Sequence, residues 1–224
     1  VIKFNGVSGQ ELWRQAIVNG SANAVAVDSA GDAVAAGSSS SGFTVIKLSG
    51  VNGTELWRKD IRGTASYLYF DLAYAIALDA AGNVLAAGVT ENAGTGIDFT
   101  VVKFSGMNGA ELWRQSIDGS DYDICIDDYF CNEAAHAVAV DSVGNVVAGG
   151  ITENAGSNDD FTVVKLDGAT GGELWRRTIN GSANYFDVAT AVAVDAADNV
   201  VATGGMSNAI NTQDLLVVKF DGMS

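Results

Sequence analysis

The chain has 224 residues and a formal net charge of −15, with 27 acidic residues against 12 basic ones. This length allows one large domain with a sizeable core, and so negative a surface repels phosphate backbones, which argues against nucleic acid as a partner. No apolar run approaches the ~18 residues of a membrane span. No signal-peptide pattern follows Val1, so we expect any export signal to be absent or already removed.

A four-part repeat runs through the chain from its first residues. An apolar segment with a lysine, V-I-K-F at 1–4, precedes the tetrapeptide E-L-W-R at 11–14. Next come an alanine-valine segment that ends in an aspartate, at 24–28, and a second one that ends in a glycine, at 33–37. The cycle then returns at intervals of roughly fifty residues, which marks a repeat architecture. E-L-W-R recurs at 55–58, 111–114 and 173–176.

Each cycle predicts four short strands, which we name A (A-V-A-V-D type), B (N-V-V-A-G-G type), C (F-T-V-V-K-F type) and D (E-L-W-R). Gly, Asn and Asp turns separate them and helical periodicity is absent. A repeat of this length is typical of propeller blades, whereas solenoid coils are shorter. We therefore predict an all-β fold, a β-propeller with about four four-stranded antiparallel blades in a single domain. The expected repeats are approximately 1–42, 43–98, 99–160 and 161–214, with a closing strand at 215–220.

The strand count predicts that the ring does not close within this segment. Four A, four B and four D strands occur, but the C type occurs five times, with Lys3, Lys47, Lys103, Lys165 and Lys219. An unpaired apolar strand edge is normally covered. We expect an incomplete ring, completed by further sequence or by self-association with another subunit.

Two family resemblances lie in these motifs. One resemblance is to the bacterial β-propeller repeat of secreted and surface proteins, which has the pattern D-x-A-x-A-h-A-h-D (h, apolar), then G-N-V, D-F-T-V-V-K-F and G-x-E-L-W. Residues 71–79 and 187–195 fit the first part of this pattern. Glu133 replaces the leading Asp in the third repeat, and Gly20 in the first. K-L-D-G-A-T-G-G-E-L-W at 165–175 is similar to the tryptophan motif of pyrroloquinoline-quinone-type propellers, although Asn5, Ser49 and Ser105 replace its Asp in the other copies. The resemblance implies a propeller and an extracellular or cell-surface location.

Residues present in every copy are expected to serve blade packing. A tryptophan ring buries a large area, so we assign blade-to-blade anchoring to Trp13, Trp57, Trp113 and Trp175. The repeated lysines, with the aspartates that end the A strands, are predicted to make polar contacts within the blades. Those aspartates are Asp28, Asp79, Asp141 and Asp195.

The copies differ in their B–C and D–A loops, which emerge on the same face of an antiparallel blade. We call this the decorated face, and function on a surface belongs there. Its aromatic residues are the predicted ligand contacts: Tyr67, Tyr69, Phe70, Tyr122, Tyr129, Phe130, Tyr185 and Phe186. Its acids are Asp71, Glu91, Asp98, Asp118, Asp121, Asp123, Asp127, Asp128, Glu133, Glu153, Asp159, Asp160, Asp187 and Asp214. Either these loops are merely solvated, or they form a cation-dependent or aromatic recognition surface for a protein or a glycan.

The D–A loop before the third A strand carries two further predictions. Cys125 and Cys131 are predicted to close it as a disulfide in an oxidising compartment, with two free thiols as the alternative. Several aspartates of this loop offer the hard oxygen ligands of calcium, without the spacing of an EF-hand. The candidate ligands are Asp118, Asp121, Asp123, Asp127 and Asp128. No cofactor is otherwise expected.

Residue types argue against most catalytic centres. His136 is the single histidine, so a Ser-His-Asp triad is not expected, and no nucleotide-binding glycine motif occurs. Carboxylate pairs leave glycoside hydrolysis open on residue types alone. We predict a non-catalytic secreted or cell-surface propeller that acts as a structural or binding module. The alternatives are a lectin-like, glycan-binding propeller and a fragment of a larger propeller enzyme.

Overall fold

The computed structural model describes residues 1–65, 71–120, 133–183, 185–210 and 212–222. Over these ranges the chain is all-β, without a helix. The strands are β1 (Ile2–Phe4), β2 (Glu11–Arg14), β3 (Ser21–Val27), β4 (Ala33–Ser39), β5 (Gly42–Leu48), β6 (Glu55–Ile61), β7 (Leu72–Leu78), β8 (Val84–Asn92), β9 (Gly96–Phe104), β10 (Glu111–Ile117), β11 (Ala134–Val140), β12 (Val146–Asn154), β13 (Asn158–Leu166), β14 (Glu173–Ile179), β15 (Val188–Val194), β16 (Val200–Ser207) and β17 (Gln213–Phe220).

Consecutive strands pair antiparallel into five sheets. The first sheet holds β1 and β2, three complete sheets hold β3–β6, β7–β10 and β11–β14, and the last sheet holds β15–β17. Each complete sheet runs from an A strand to a D strand, and successive A strands (β3, β7, β11, β15) contact one another. The A strands therefore line the inner side, as in a propeller. The prediction of four-stranded antiparallel propeller blades is confirmed, and the ring is not closed.

The sheets combine strands differently from the predicted repeats. Those repeats begin at a C strand, whereas each complete sheet begins at an A strand and takes its A and B strands from one repeat and its C and D strands from the next. The reason is the hydrogen-bonded B–C hairpin, such as β8 with β9, which runs across the predicted repeat boundary.

The A–B turns explain why an aspartate ends every A strand. In the second A–B turn, the Asp79 Oδ1 accepts hydrogen bonds from the backbone N–H groups of Ala81 and Asn83, and Gly82 has a φ of 78°. An aspartate that bonds backbone groups two and four residues on stabilises a tight turn, and glycine adopts positive φ without strain. Equivalent bonds occur at Asp28, Asp141 and Asp195.

The core lies between the sheets rather than within one of them. Phe43 and Val45 on β5 pack in one cluster with Val102 and Phe104 on β9. Because side chains alternate along a strand, each inner C strand faces both neighbouring sheets. We call the packed interface between two neighbouring sheets a joint. The next joint, between the sheets β7–β10 and β11–β14, places Phe99 and Val101 in a cluster with Val164 and Leu166.

Candidate functional site

The repeated lysines join neighbouring sheets. The Lys103 Nζ forms an ion pair of 2.8 Å with the Asp79 carboxylate of its own sheet and donates a 2.8 Å hydrogen bond to the Gly168 carbonyl of the next. Lys165 repeats the arrangement with Asp141 at 2.9 Å and Gly222 at 2.7 Å. Lys47 does the same with Asp28 and Gly106. The sequence motif of lysine, aspartate and glycine is therefore one inter-sheet contact.

The tryptophans reinforce the same joint. Trp57 and Trp113 are buried and donate from Nε1 to the carbonyls of Gly106 and Gly168, at 3.3 and 3.2 Å. Gly109 has a φ of 69°, and a Cβ there would lie 2.8 Å from the Trp57 ring. Trp13 makes the same contact with Gly50 and Gly53. Trp175 is only half-buried, and its Nε1 has no partner among the described residues.

A buried acid ends three of the D–A connections on the decorated face, directly before β7, β11 and β15. The Glu133 Oε1 accepts hydrogen bonds from the backbone N–H groups of Gly119 at 2.6 Å and Glu153 at 3.0 Å. Asp71 bonds the backbone of Gly63 and Glu91 in the same way, and Asp187 bonds that of Gly181 and Ser207. The leading acid of the repeat motif therefore ties the loop after a D strand to the following sheet.

Three carboxylates meet at one of these connections. Asp98 on β9, Asp118 after β10 and Glu133 before β11 place oxygen atoms within 4.8 Å of one another. Asp98 and Glu133 are 3% and 4% exposed, and Asp118 is exposed. The Asp98 Oδ2 accepts hydrogen bonds from Asn92 and Thr95. The Asp98 Oδ1 and the Glu133 Oε2 are buried, and neither has a hydrogen-bond partner within the part of the chain that the structure describes.

The two buried carboxylates of this cluster, Asp98 and Glu133, have raised pKa values, chiefly because burial disfavours their charged forms. Burial, with a contribution from the neighbouring Asp118 and Asp98 carboxylates, raises the pKa of Glu133 to about 8. Burial also raises the pKa of Asp98, and the charge of Asp118 adds to this. Carboxylate oxygens that lie close together and accept no hydrogen bond favour the binding of a proton or of a cation.

The structure covers only part of the site that the sequence predicts. Of the candidate calcium ligands, Asp118 lies in the cluster of three carboxylates; the others lie outside the described residues: Asp121, Asp123, Asp127 and Asp128. The proposed disulfide and most of the predicted ligand aromatics also lie outside them: Cys125, Cys131, Tyr67, Tyr69, Phe70, Tyr122, Tyr129 and Phe130. Tyr185 is exposed, while Phe186 is half-buried and its carbonyl accepts a hydrogen bond from Ser207.

Asp98 and Glu133 were not among the ligands predicted from the sequence. One signal could have marked Glu133, because it replaces the aspartate that begins the other matching repeats. His136 packs against Tyr74 with ring centroids 5.1 Å apart, and burial lowers the pKa of this histidine. The single histidine is thus a packed side chain of β11.

Solved structures place the fold among large bacterial propellers. BamB from Moraxella catarrhalis is 17% identical with a TM-score of 0.53, covering 96% of this chain and 50% of that one. A protein of unknown function from Bacteroides caccae is 13% identical (TM-score 0.53), covering 90% and 60%. Quinohemoprotein alcohol dehydrogenase from Comamonas testosteroni is 14% identical (TM-score 0.52), covering 86% and 31%. The chain thus spans about half of BamB and a third of the dehydrogenase, and the likeness concerns the fold.

Sequence comparison gives a family. A search of the curated proteins finds no match. In the described part of the chain, no helix is long and apolar enough to cross a membrane. Residues 97–216 match the family described as outer membrane protein assembly factor BamB. Because this match spans more than half of the 224 residues, and the fold agrees with it, the chain belongs to the propeller family that this description names.

Proposed function

We propose that the chain is a non-catalytic structural and binding module whose end sheets are covered by another propeller segment, either from further sequence of the same protein or from a second copy that associates head to tail. One observation carries the proposal: the two end sheets expose positions that are buried in every complete joint. Leu215 and Val217 on β17 are 81% and 61% exposed, whereas the equivalent Phe99 and Val101 on β9 are fully buried. Burying such side chains stabilises by roughly 1.5–3 kcal/mol each.

The opposite end exposes the complementary surface. Ile2 and Phe4 on β1 are 46% and 56% exposed, although Val102 and Phe104, their equivalents on β9, are buried against the preceding sheet. The inner joints pair these two surfaces, β5 against β9. In the proposed association, β17 of one copy packs against β1 of another in the same way.

Polar groups at the two ends match as well. The exposed Lys219 Nζ pairs with Asp195 at 2.7 Å, and within the described residues it contacts no glycine carbonyl of a further sheet, unlike Lys103 and Lys165. Gly6 occupies, in the first sheet, the position that Gly50 and its equivalents hold in the others. We expect Lys219 of one copy to donate to the Gly6 carbonyl of the next, in a heterologous contact that forms a ring or a filament.

Sedimentation velocity tests this association. We expect wild-type chain to form species larger than the 23.0 kDa monomer as its concentration rises. The last-end variant L215E/V217E and the first-end variant I2E/F4E should each be monomeric, because every copy lacks one half of the interface. An equimolar mixture of the two should give a dimer and nothing larger, since one intact joint can form. The control V51E, at an exposed turn valine, should behave as wild type.

A monomeric wild type at all concentrations would contradict this association, as would a mixture of variants that does not dimerise.

The non-catalytic part of the proposal is supported by the use of the repeated Lys, Asp and Trp side chains in sheet packing. The family description as an assembly factor supports a protein as the partner of the decorated face, with a glycan as the alternative. Alcohol oxidation by the chain with added pyrroloquinoline quinone would instead support a fragment of a larger enzyme.

An extracellular or cell-surface location is part of the proposal, and the family description as an outer membrane assembly factor supports a place in the cell envelope. The closer kinship with the bacterial surface repeat stays a prediction. We expect a disulfide between Cys125 and Cys131 in protein isolated from its native compartment, because an oxidising environment preserves such bonds. Thiol titration of the unfolded, unreduced chain should find no reactive cysteine; two reactive thiols would count against the location.

A further inference from the structure

The cluster of three carboxylates is not required by the fold, because the same joint occurs three times with different residues. Registers that pair Phe43 with Ile61, and likewise Phe99 with Ile117, fix the equivalence. The positions of Asp98, Asp118 and Glu133 are taken one joint earlier by Gly42, Arg62 and Asp71, and one joint later by Asp160, Asn180 and Asp187. Only the middle joint brings three carboxylates together among the described residues.

Neighbouring charges do not neutralise the cluster. None of its three carboxylates forms an ion pair among the described residues. The closest guanidinium contact is that of Arg176, whose Nη1 donates to the main-chain carbonyl of Asp118 while its Nη2 pairs with Glu173. One joint earlier, a cationic side chain, Arg62, stands at the position of Asp118. Buried charges are costly unless they are paired or coordinate a metal.

Two buried oxygens point to a ligand independently of the charge count. The Asp98 Oδ1 and the Glu133 Oε2 lack hydrogen-bond partners among the described residues, although both side chains are more than nine-tenths buried. The remaining oxygens of these carboxylates already accept hydrogen bonds from Asn92, Thr95, Gly119 and Glu153. These bonds hold both carboxylates in place and leave one oxygen of each for a ligand.

We propose that Asp98, Asp118 and Glu133 bind a hard divalent cation of the calcium class. All the ligand atoms are carboxylate oxygens, which suit calcium, and Asp118 is open to water that can complete a coordination shell of six to eight oxygens. Asp98 and Asp118 belong to the sheet β7–β10 and Glu133 leads into β11, so the ion links two adjacent sheets at the decorated face. The site lies far along the chain from the end strands β1 and β17 and is independent of self-association.

Equilibrium dialysis and thermal unfolding of the whole chain, first treated with a chelator, test the site with calcium chloride and with magnesium chloride. We expect one calcium ion bound per chain by this site and a melting temperature that rises with calcium concentration, because a ligand that binds only the native state stabilises it. D118N removes an exposed ligand without disturbing the buried hydrogen bonds, and it should weaken calcium binding by about tenfold or more. The apo protein should melt at or slightly above the wild-type temperature, because the substitution removes a charge that repels Asp98 and Glu133.

Matched variants separate this site from the aspartates of the neighbouring loop. The control D160N alters the equivalent aspartate one joint later and should leave calcium affinity unchanged. The quadruple variant D121N/D123N/D127N/D128N should keep the calcium-dependent rise in melting temperature. The proposal is overturned if wild type shows no calcium-dependent rise, if D118N binds calcium as wild type does, or if only the loop variant loses the ion.

Discussion

Replacing Trp113 with alanine is expected to lower the free energy of unfolding by about 3–5 kcal/mol. The ring is buried in the cluster that joins β9 to β13, its face lies against Gly171, and its Nε1 donates to the Gly168 carbonyl. The substitution removes this packing and leaves a cavity that the rigid sheets cannot close. Denaturant unfolding, followed by circular dichroism, measures the change.

Trp175 is the internal control for this experiment. It has the same sequence context but is half-buried, and its Nε1 has no partner among the described residues. We expect W175A to cost clearly less than W113A, and W113F, which keeps an aromatic ring and removes the N–H donor, to fall between wild type and W113A. Equal losses for W113A and W175A would show that the inter-sheet contact does not set the contribution of these rings.

Replacing Lys165 with methionine is expected to cost about 3–5 kcal/mol, because it leaves the buried Asp141 carboxylate without its partner. Both side chains of this ion pair are almost fully buried, and the Gly222 carbonyl also loses its donor. Lys219 and Asp195 form the same pair at an exposed end, so K219M should cost no more than about 1 kcal/mol. Thermal and denaturant unfolding at neutral pH give both values.

The pH dependence of K165M gives a second readout. Burial acts to raise the pKa of Asp141, but hydrogen bonds from Lys165 and Asn145 outweigh it and hold that pKa below 3.8, the ordinary value. A lowered native pKa stabilises the fold above the unfolded-state pKa, and this contribution is lost as pH falls through the native pKa. The stability gap between wild type and K165M should therefore narrow as the pH falls below about 4. A gap that stays constant from pH 7 to pH 2 would assign the effect to packing.

Much of the architecture follows from local patterns. The period of the repeat, the short apolar strands and the aspartate turns each depend on residues close in sequence, and they predict the antiparallel four-stranded sheets that the structure contains. The surplus C strand could likewise be counted from the sequence, and β1 and β17 are the two ends of an unclosed series. The bounds of the sequence repeats do not mark the sheets, because each bound falls in the B–C hairpin of one sheet.

The candidate cation site shows the limit of local patterns. The sequence directs attention to the aspartates that follow Asp118, because they are close together along the chain. The structure instead brings Asp118 to Asp98, on the neighbouring strand β9, and to Glu133, which enters the next sheet. Spacing along the chain contains no information about oxygen atoms that approach each other across two sheets.

Strand types, turns and the repeated Lys–Asp–Trp pattern can be predicted without a structure, because they depend on interactions between near neighbours and on a period that can be counted. Which copies of a repeated residue are buried depends on how the sheets pack in three dimensions. Trp113 and Trp175 are alike in sequence, as are Lys165 and Lys219. Trp113 packs against a complete sheet, whereas Trp175 packs against the last sheet, which has no D strand. Lys165 contacts that last sheet, whereas Lys219 lies at the open end. Copies of one motif differ in this way because burial and electrostatic environment depend on the sheet packed against a residue, and that sheet comes from a distant part of the chain.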